Sequence, residues 1–232
     1  MKMRYDCLPC LFRQTLESAR MVTDDEEMIK DFLKKYSKML PELIDSEATA
    51  PMIAEEIQAY IKEISGADDP YTEIKKKNLD SALKLLPLVK REIAEADDPL
   101  LAALLMSAMG NSIDAGVSLN INIQDNIERA LANSFAHSDY QQFLAELKKA
   151  EELIFIADNT GEAVFDKLLL KEIKEDYDLK ITYVVRETAI LNDITYQGAK
   201  ELGIDQYAEI IKGGSKAPGM IMDSASDQFL KH

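Results

Sequence analysis

The sequence has two cysteines, two histidines and no tryptophan in 232 residues. Cys7 and Cys10 form a lone Cys-x-x-Cys, which is half of a zinc site, and His137 and His232 are the only imidazoles available to complete it. Pro9 between them suits the first turn of a helix, so the pair reads either as a buried helix start or as a metal or redox motif. Positive charge is also scarce. Lys and Arg total 27 against 42 Asp and Glu, a net charge of −15, and no basic block interrupts the excess. Such a surface repels a phosphate backbone and argues against a nucleic-acid partner, while it favours solubility and cation binding. No window approaches the ~20 apolar residues that span a bilayer, and the start, Met1 to Cys7, has no signal-peptide core. The expectation is a cytoplasmic protein with no membrane partner, long enough to bury a core without covalent staples.

What is present falls into two textures. Residues 1–150 read as a helical domain. Leu8 to Met21 has helical periodicity, and Thr23 with Glu26 forms a capping-box signature ahead of Met28, Ile29, Phe32, Leu33 and Tyr36. Pro51 looks like a first-turn proline of a helix that stops at Gly66, and Asp69-Pro70 and Asp98-Pro99 look like further starts. The apolar stripe from Ile74 to Ile93 is core, with Pro87 as a kink or break. Leu100 to Met109 is apolar all round and predicts a buried helix that ends at Gly110-Asn111. Asn111 and Asp114 are three apart, so on a continued helix they point at one ligand; ordinary capping is the plain alternative. Further helices are expected from about Asp125 and from Ser138 to Lys149.

Residues 151–232 alternate differently: strand Leu153 to Ala157, helix Glu162 to Glu175, strand Lys180 to Val185, helix Asn192 to Leu202, strand Ala208 to Ile211. That order builds parallel βαβ units, and the fold class is α/β, an amino-terminal all-helical region packed on a Rossmann-like doubly wound sheet. Asp158 and Asn159 then lie at the carboxyl end of the first strand and Asp193 just beyond the second, where open α/β sheets bind their ligands. The alternative is that Asp158 caps the next helix and Asn159 takes a left-handed turn. Together the three side chains offer an oxygen-only set suited to Mg2+ or Mn2+, which can clamp phosphate oxygens. After the third strand, Lys212-Gly213-Gly214-Ser215-Lys216 offers amide N–H groups and charge to a phosphate, or plain turns.

The ordered set Cys7-Leu8-Pro9-Cys10, Gly110-Asn111-Ser112-Ile113-Asp114, Asp158-Asn159-Thr160-Gly161-Glu162, Arg186-Glu187, Leu191-Asn192-Asp193-Ile194-Thr195 and Gly214-Ser215-Lys216-Ala217-Pro218-Gly219 resembles the damage-control phosphatase family. This family was long catalogued as domain of unknown function 89, and the Cys-x-x-Cys resembles its stand-alone prokaryotic branch. The resemblance implies a metal-dependent phosphatase of small phosphorylated metabolites such as sugar phosphates. Asp158, Asn159 and Asp193 would be the catalytic metal ligands, for Mg2+ or Mn2+ with Co2+ or Ni2+ possible. Asn111, Asp114, Arg186, Glu187, Lys212, Ser215 and Lys216 would hold substrate. Similar proteins usually continue past the Ala-Pro-Gly loop into a Lys-Gly-rich phosphate-contacting segment, whereas this sequence runs to Met222 through His232. Either it is shortened or Lys212 or Lys216 supplies that charge. Two other classes remain: a nucleotide- or cofactor-binding α/β protein such as a carboxyl methyltransferase using S-adenosylmethionine, although no Gly-x-Gly-x-x-Gly follows the first strand, and a non-enzymatic interaction module built on the helical half with the acidic surface as its docking face.

Overall fold

A computed structural model describes residues 3–44, 46–111 and 137–232. Its described elements, in chain order, are helices α1 (Cys7–Val22), α2 (Glu26–Ile44), α3 (Ala50–Ser65), α4 (Thr72–Glu95), α5 (Pro99–Gly110) and α6 (Tyr140–Leu147), then β1 (Glu152–Ile156), α7 (Glu162–Asp176), β2 (Lys180–Val185), α8 (Tyr196–Glu201) and β3 (Glu209–Lys212). The helix expected from Asp125 lies outside the described residues.

Local chemistry explains most of the boundaries. Gly66 ends α3 in the left-handed conformation at φ 65°, where a side chain is disfavoured. The Asp98 carboxylate accepts from the Leu101 N–H at 3.0 Å and caps α5, with Pro99 at the first helical position. At α2 the expected cap moves by two residues. Asp25, not Thr23, takes the helical N–H groups, accepting from Glu27 at 2.9 Å and Met28 at 3.4 Å, while the Thr23 hydroxyl accepts from Asp25 N–H. Pro87 does not break α4, which runs through it. The carbonyl it leaves without a donor belongs to Leu83, and both residues are exposed, so water can serve that group.

The three strands form one parallel sheet of order β1-β2-β3, with Phe155 opposite Tyr183 and Tyr183 opposite Ile210. Two apolar cores are present among the described residues. Leu11, Ile29, Phe32, Tyr36, Ile57 and Ile61 fill the one between α1, α2 and α3. The other joins α4 and α5 to α7 and the sheet through residues such as Val89, Met106, Phe165, Leu170 and Tyr183. Deep in that second core the fully buried Asp166 of α7 accepts from Ser107 Oγ of α5 at 2.6 Å and from Tyr183 OH of β2 at 2.8 Å. A polar group placed there needs these partners, and in finding them it fixes the register of three elements at once. The carboxyl-terminal segment backs the sheet's other face, where Gln228 Nε2 reaches Glu209 at 3.5 Å and His232 Nδ1 lies 3.8 Å from Glu152.

Candidate active site

The carboxyl ends of β1 and β2 do not simply diverge into helices. The chain after β1 pairs with the chain after β2. Thr160 N–H donates to Asn192 O and Ile194 N–H to Asp158 O, both at 2.8 Å, and Asn159 sits opposite Asp193 in an isolated antiparallel bridge. Thr160 Oγ1 adds a 2.9 Å bond to Asn192 O. This pairing is why the helix expected from Asn192 begins only at Tyr196: the backbone of residues 192 to 194 is committed to the crossed loops, and Thr195 caps the short α8 by accepting from Gly198 N–H. Leu191, at φ 44°, turns the second loop in a conformation that a β-carbon resists, and its side chain packs against the α1–α3 core.

The crossed loops gather the predicted ligands. Arg186, at the end of β2, is buried and donates from Nε to Asp193 Oδ2 at 2.6 Å and from Nη2 to Asp158 Oδ1 at 3.3 Å. Its Nη1 is buried with no hydrogen-bond partner among the described residues. Asn111, just past α5, donates from Nδ2 to the other Asp158 oxygen at 3.2 Å. Its delivery depends on Gly110: a β-carbon there would come within 2.8 Å of Glu162 Cα and 3.0 Å of Phe165 Cδ2, so α5 crosses α7 with no room for one. Asn159 Oδ1 accepts from Glu162 N–H at 2.8 Å, and Asn159 Nδ2 reaches Glu162 Oε2 at 3.2 Å. Asn159, rather than Asp158, therefore holds the start of α7, and the positive φ falls on Leu191 rather than on Asn159.

Four carboxyl groups, on Asp158, Glu162, Asp166 and Asp193, act on one another here. Burial pushes Glu162 up to about 8, with Asp166, Asp158 and Asp193 adding to the rise. Asp193 rises to about 6 because burial outweighs the opposing Arg186 charge. A site that crowds acids around one guanidinium favours a further cation. Among the described residues no group of three or more His, Cys, Asp or Glu forms a metal cluster. The available donors are two carboxylates and the Asn159 carboxamide, an oxygen set that fits a hard divalent ion.

The other predicted residues separate. Glu187 and the half-exposed Lys212 pair with each other at 3.5 Å. Ser215 is buried and accepts from Ala217 N–H at 3.3 Å, and Gly213 N–H is engaged by Val185 O. Lys216 is exposed. Asp114 lies outside the described residues. Cys7 and Cys10 are unbridged thiols, Cys10 exposed.

Two residues that the sequence did not single out approach from α4. Asn78 is buried with its Cβ 3.7 Å from where a Gly161 β-carbon would stand, and Lys75, one turn earlier, is 9% exposed. Lys75 stands in a run of three lysines whose other two members are exposed, and nothing in the string distinguishes it from them. A cavity of about 660 Å3 between α4, α7 and α8 touches Thr160 and Ile194, but none of Asn111, Asp158, Asn159, Arg186 and Asp193 lines it.

Among the described residues no helix is long and apolar enough to cross a membrane. The family model described as the damage-control phosphatase ARMT1-like domain matches residues 3–232. An uncharacterised protein of Methanocaldococcus jannaschii is 34% identical over 99% of this chain and 77% of its own length. A protein of Archaeoglobus fulgidus named damage-control phosphatase is 33% identical over 100% of this chain and 81% of its own. The crystal structure of a Pyrococcus horikoshii protein of the domain-of-unknown-function-89 family, 26% identical, superposes with a TM-score of 0.90 over 100% of this chain and 80% of that one. Its sequence carries the name damage-control phosphatase. With a family model spanning nearly all of its length, and the motif residues Asp158, Asn159, Asp193, Arg186 and Asn111 converging at the ends of β1 and β2, this chain belongs to the damage-control phosphatase family.

Proposed function

We propose that the chain is a metal-dependent phosphatase of small phosphorylated metabolites, sugar phosphates foremost. The observation that carries the reading is the convergence of Asp158 and Asp193 on one guanidinium, with Asn159 bridged to Asp193 across the crossed loops. Asp158, Asn159 and Asp193 would hold Mg2+ or Mn2+, with Co2+ or Ni2+ as alternatives. The ion supplies charge for a phosphoryl group in transfer.

The chain's own residues set the rest. Arg186 holds both carboxylates in one place, and its buried Nη1 has no hydrogen-bond partner among the described residues. Asn111 fixes the second Asp158 oxygen, and its exposed position leaves it open to the hydroxyls of a sugar. Asn159 is held by Glu162 on both sides of its amide, so a carboxamide oxygen used as a ligand is already oriented. The relatives named as damage-control phosphatases support phosphate-ester hydrolysis as the reaction class.

The test is phosphate release from a panel of sugar phosphates in Mg2+, Mn2+, Co2+, Ni2+ or chelator. Turnover that needs an added divalent ion, with sugar phosphates among the preferred substrates, is the expected outcome. Turnover that persists in chelator removes the metal from the reading. Absence of turnover, with metal-free binding of S-adenosylmethionine, transfers it to the methyltransferase class.

A further inference from the structure

Independently of the phosphatase reading, we propose that the cavity between α4, α7 and α8 binds a medium-chain aliphatic carboxylate, its chain lying along the leucines and its head group on Lys167. The cavity holds about 660 Å3, with α4 forming one wall and α7 and α8 the other. A space of that size between helices, apolar with a few polar groups, is the usual form of a small-molecule site. None of the residues gathered at Arg186 lines it, so it is separate from the candidate active site.

The walls suit a hydrocarbon chain. Leu79, Leu83 and Leu86 stand at helical spacing on α4 and share the space with Val164 and Leu168 of α7 and Leu202 of α8. Leu83 is 41% exposed despite its size, so an apolar occupant removes a leucine surface from water that the fold itself leaves wet. The α7 wall, from Val164 to Glu172, is about 12 Å long by helix rise. Thr160 and Ile194 also line the cavity, so an occupant touches the two residues whose N–H groups clasp the crossed loops.

The charged lining residues are Lys90, Lys167, Lys171, Glu172 and Glu201, a local excess of positive charge in a chain of net charge −15. Lys171 is neutralised by Glu172 at 3.3 Å and Glu175 at 2.9 Å, and the exposed Glu201 accepts from Gln197 Nε2 at 2.9 Å. Lys167 differs. It is half-buried, and its Nζ donates to the Leu202 carbonyl at 2.8 Å with no carboxylate in ion-pair range among the described residues. An ammonium carries three N–H donors and Leu202 takes one, so a half-buried cation is left without a counter-ion. An anion at this point relieves that cost, and the surrounding leucines select one that carries an aliphatic chain. A single free ammonium balances a single negative charge, which a carboxylate has; the second charge of a phosphate monoester would meet Glu172 and Glu201.

The experiment titrates octanoate, decanoate and dodecanoate into the full chain by calorimetry, with decanol as the uncharged counterpart, and repeats decanoate with Leu83→Glu, Lys167→Met and Lys90→Glu. Saturable binding at one site is expected, tightening by about three- to fourfold per added CH2. Decanol, and decanoate on Lys167→Met, should bind weaker by about tenfold or more, since each lacks the charge-assisted contact. Leu83→Glu changes an exposed position, so the fold stands while a carboxylate enters the trough, and decanoate binding is lost. Lys90 is exposed, and Lys90→Glu reads the charge dependence if Lys167→Met fails to fold. The proposal is overturned by a parent chain that binds none of the acids saturably, by decanol binding as tightly as decanoate, or by decanoate binding that Leu83→Glu leaves intact. Binding is read without turnover, so a parent inactive on phosphate esters overturns the phosphatase reading and leaves this one standing.

Discussion

Asn159 and Asp193 face each other across an antiparallel bridge between two loops that leave neighbouring parallel strands. In an open parallel sheet, connections normally leave the strand ends separately, each toward its own helix. Here they clasp before doing so, and the clasp holds a carboxamide from one strand end beside a carboxylate from the next. The relative placing of these proposed ligands is therefore set by backbone hydrogen bonds of 2.8 Å, with Arg186 as the side-chain lock.

Removing that lock leaves Asp193 buried without its partner. Arg186→Met is expected to destabilise the metal-free fold by about 3–5 kcal/mol, the cost of breaking a buried pair from one side. Half-exposed Asp158 adds little. A divalent ion can replace the lost charge, so Mn2+ should raise the melting temperature of Arg186→Met more than that of the parent. Thermal melts with and without Mn2+ measure both effects, and equal shifts would contradict the lock.

Gly110 is where helix packing meets the site. A methyl group there overlaps Glu162 Cα, and Gly110→Ala is expected to cost about 1–3 kcal/mol by overpacking. The same displacement carries Asn111 away from Asp158. Urea unfolding reads the first consequence and KM for a sugar phosphate the second; a variant unchanged in both would mean that α5 has slack the geometry denies.

The buried acids set the pH dependence of stability. Burial raises Asp166 to about 7, against the pull of Ser107 and Tyr183. The folded state thus binds this proton more tightly than the unfolded chain, whose aspartates titrate near ~3.9. The stability so contributed is complete below about pH 4 and lost as pH rises to about 7. Asp193, at about 6, and Glu162, at about 8, shift in the same sense and extend the decline. Metal-free protein should therefore melt lower at about pH 8 than at about pH 5, and Asp166→Asn should flatten the slope. Parallel slopes for the two proteins would remove Asp166 from this account.

How much of this was legible in the string depended on the range of the interaction. The α3 stop at Gly66, the α5 start at Asp98-Pro99 and the strand ends carrying Asp158 and Asp193 all follow from a few adjacent residues, and the structure has them there. The α2 cap went to Asp25 because Thr23 and Asp25 compete for the same turn, and only geometry chooses between them. Residues 192 to 194 read as helix because their commitment to residues 158 to 160 lies more than thirty positions away. Asp166, Asn78 and Lys75 carry no local mark in the sequence; they are buried by contacts between elements, which periodicity in one segment cannot report.

The measurement that bears most directly on the central claim is Mn2+-dependent phosphate release, from a sugar phosphate and an aryl phosphate, by the parent chain and by Asp158→Ala at matched protein and metal. Asp158 is half-exposed, so its removal leaves the fold in place while taking a proposed ligand from the ion. The account predicts turnover in the parent that chelator abolishes, and a loss of about a hundredfold or more in Asp158→Ala at unchanged melting temperature. Turnover by Asp158→Ala equal to the parent's would place the chemistry elsewhere and contradict the account.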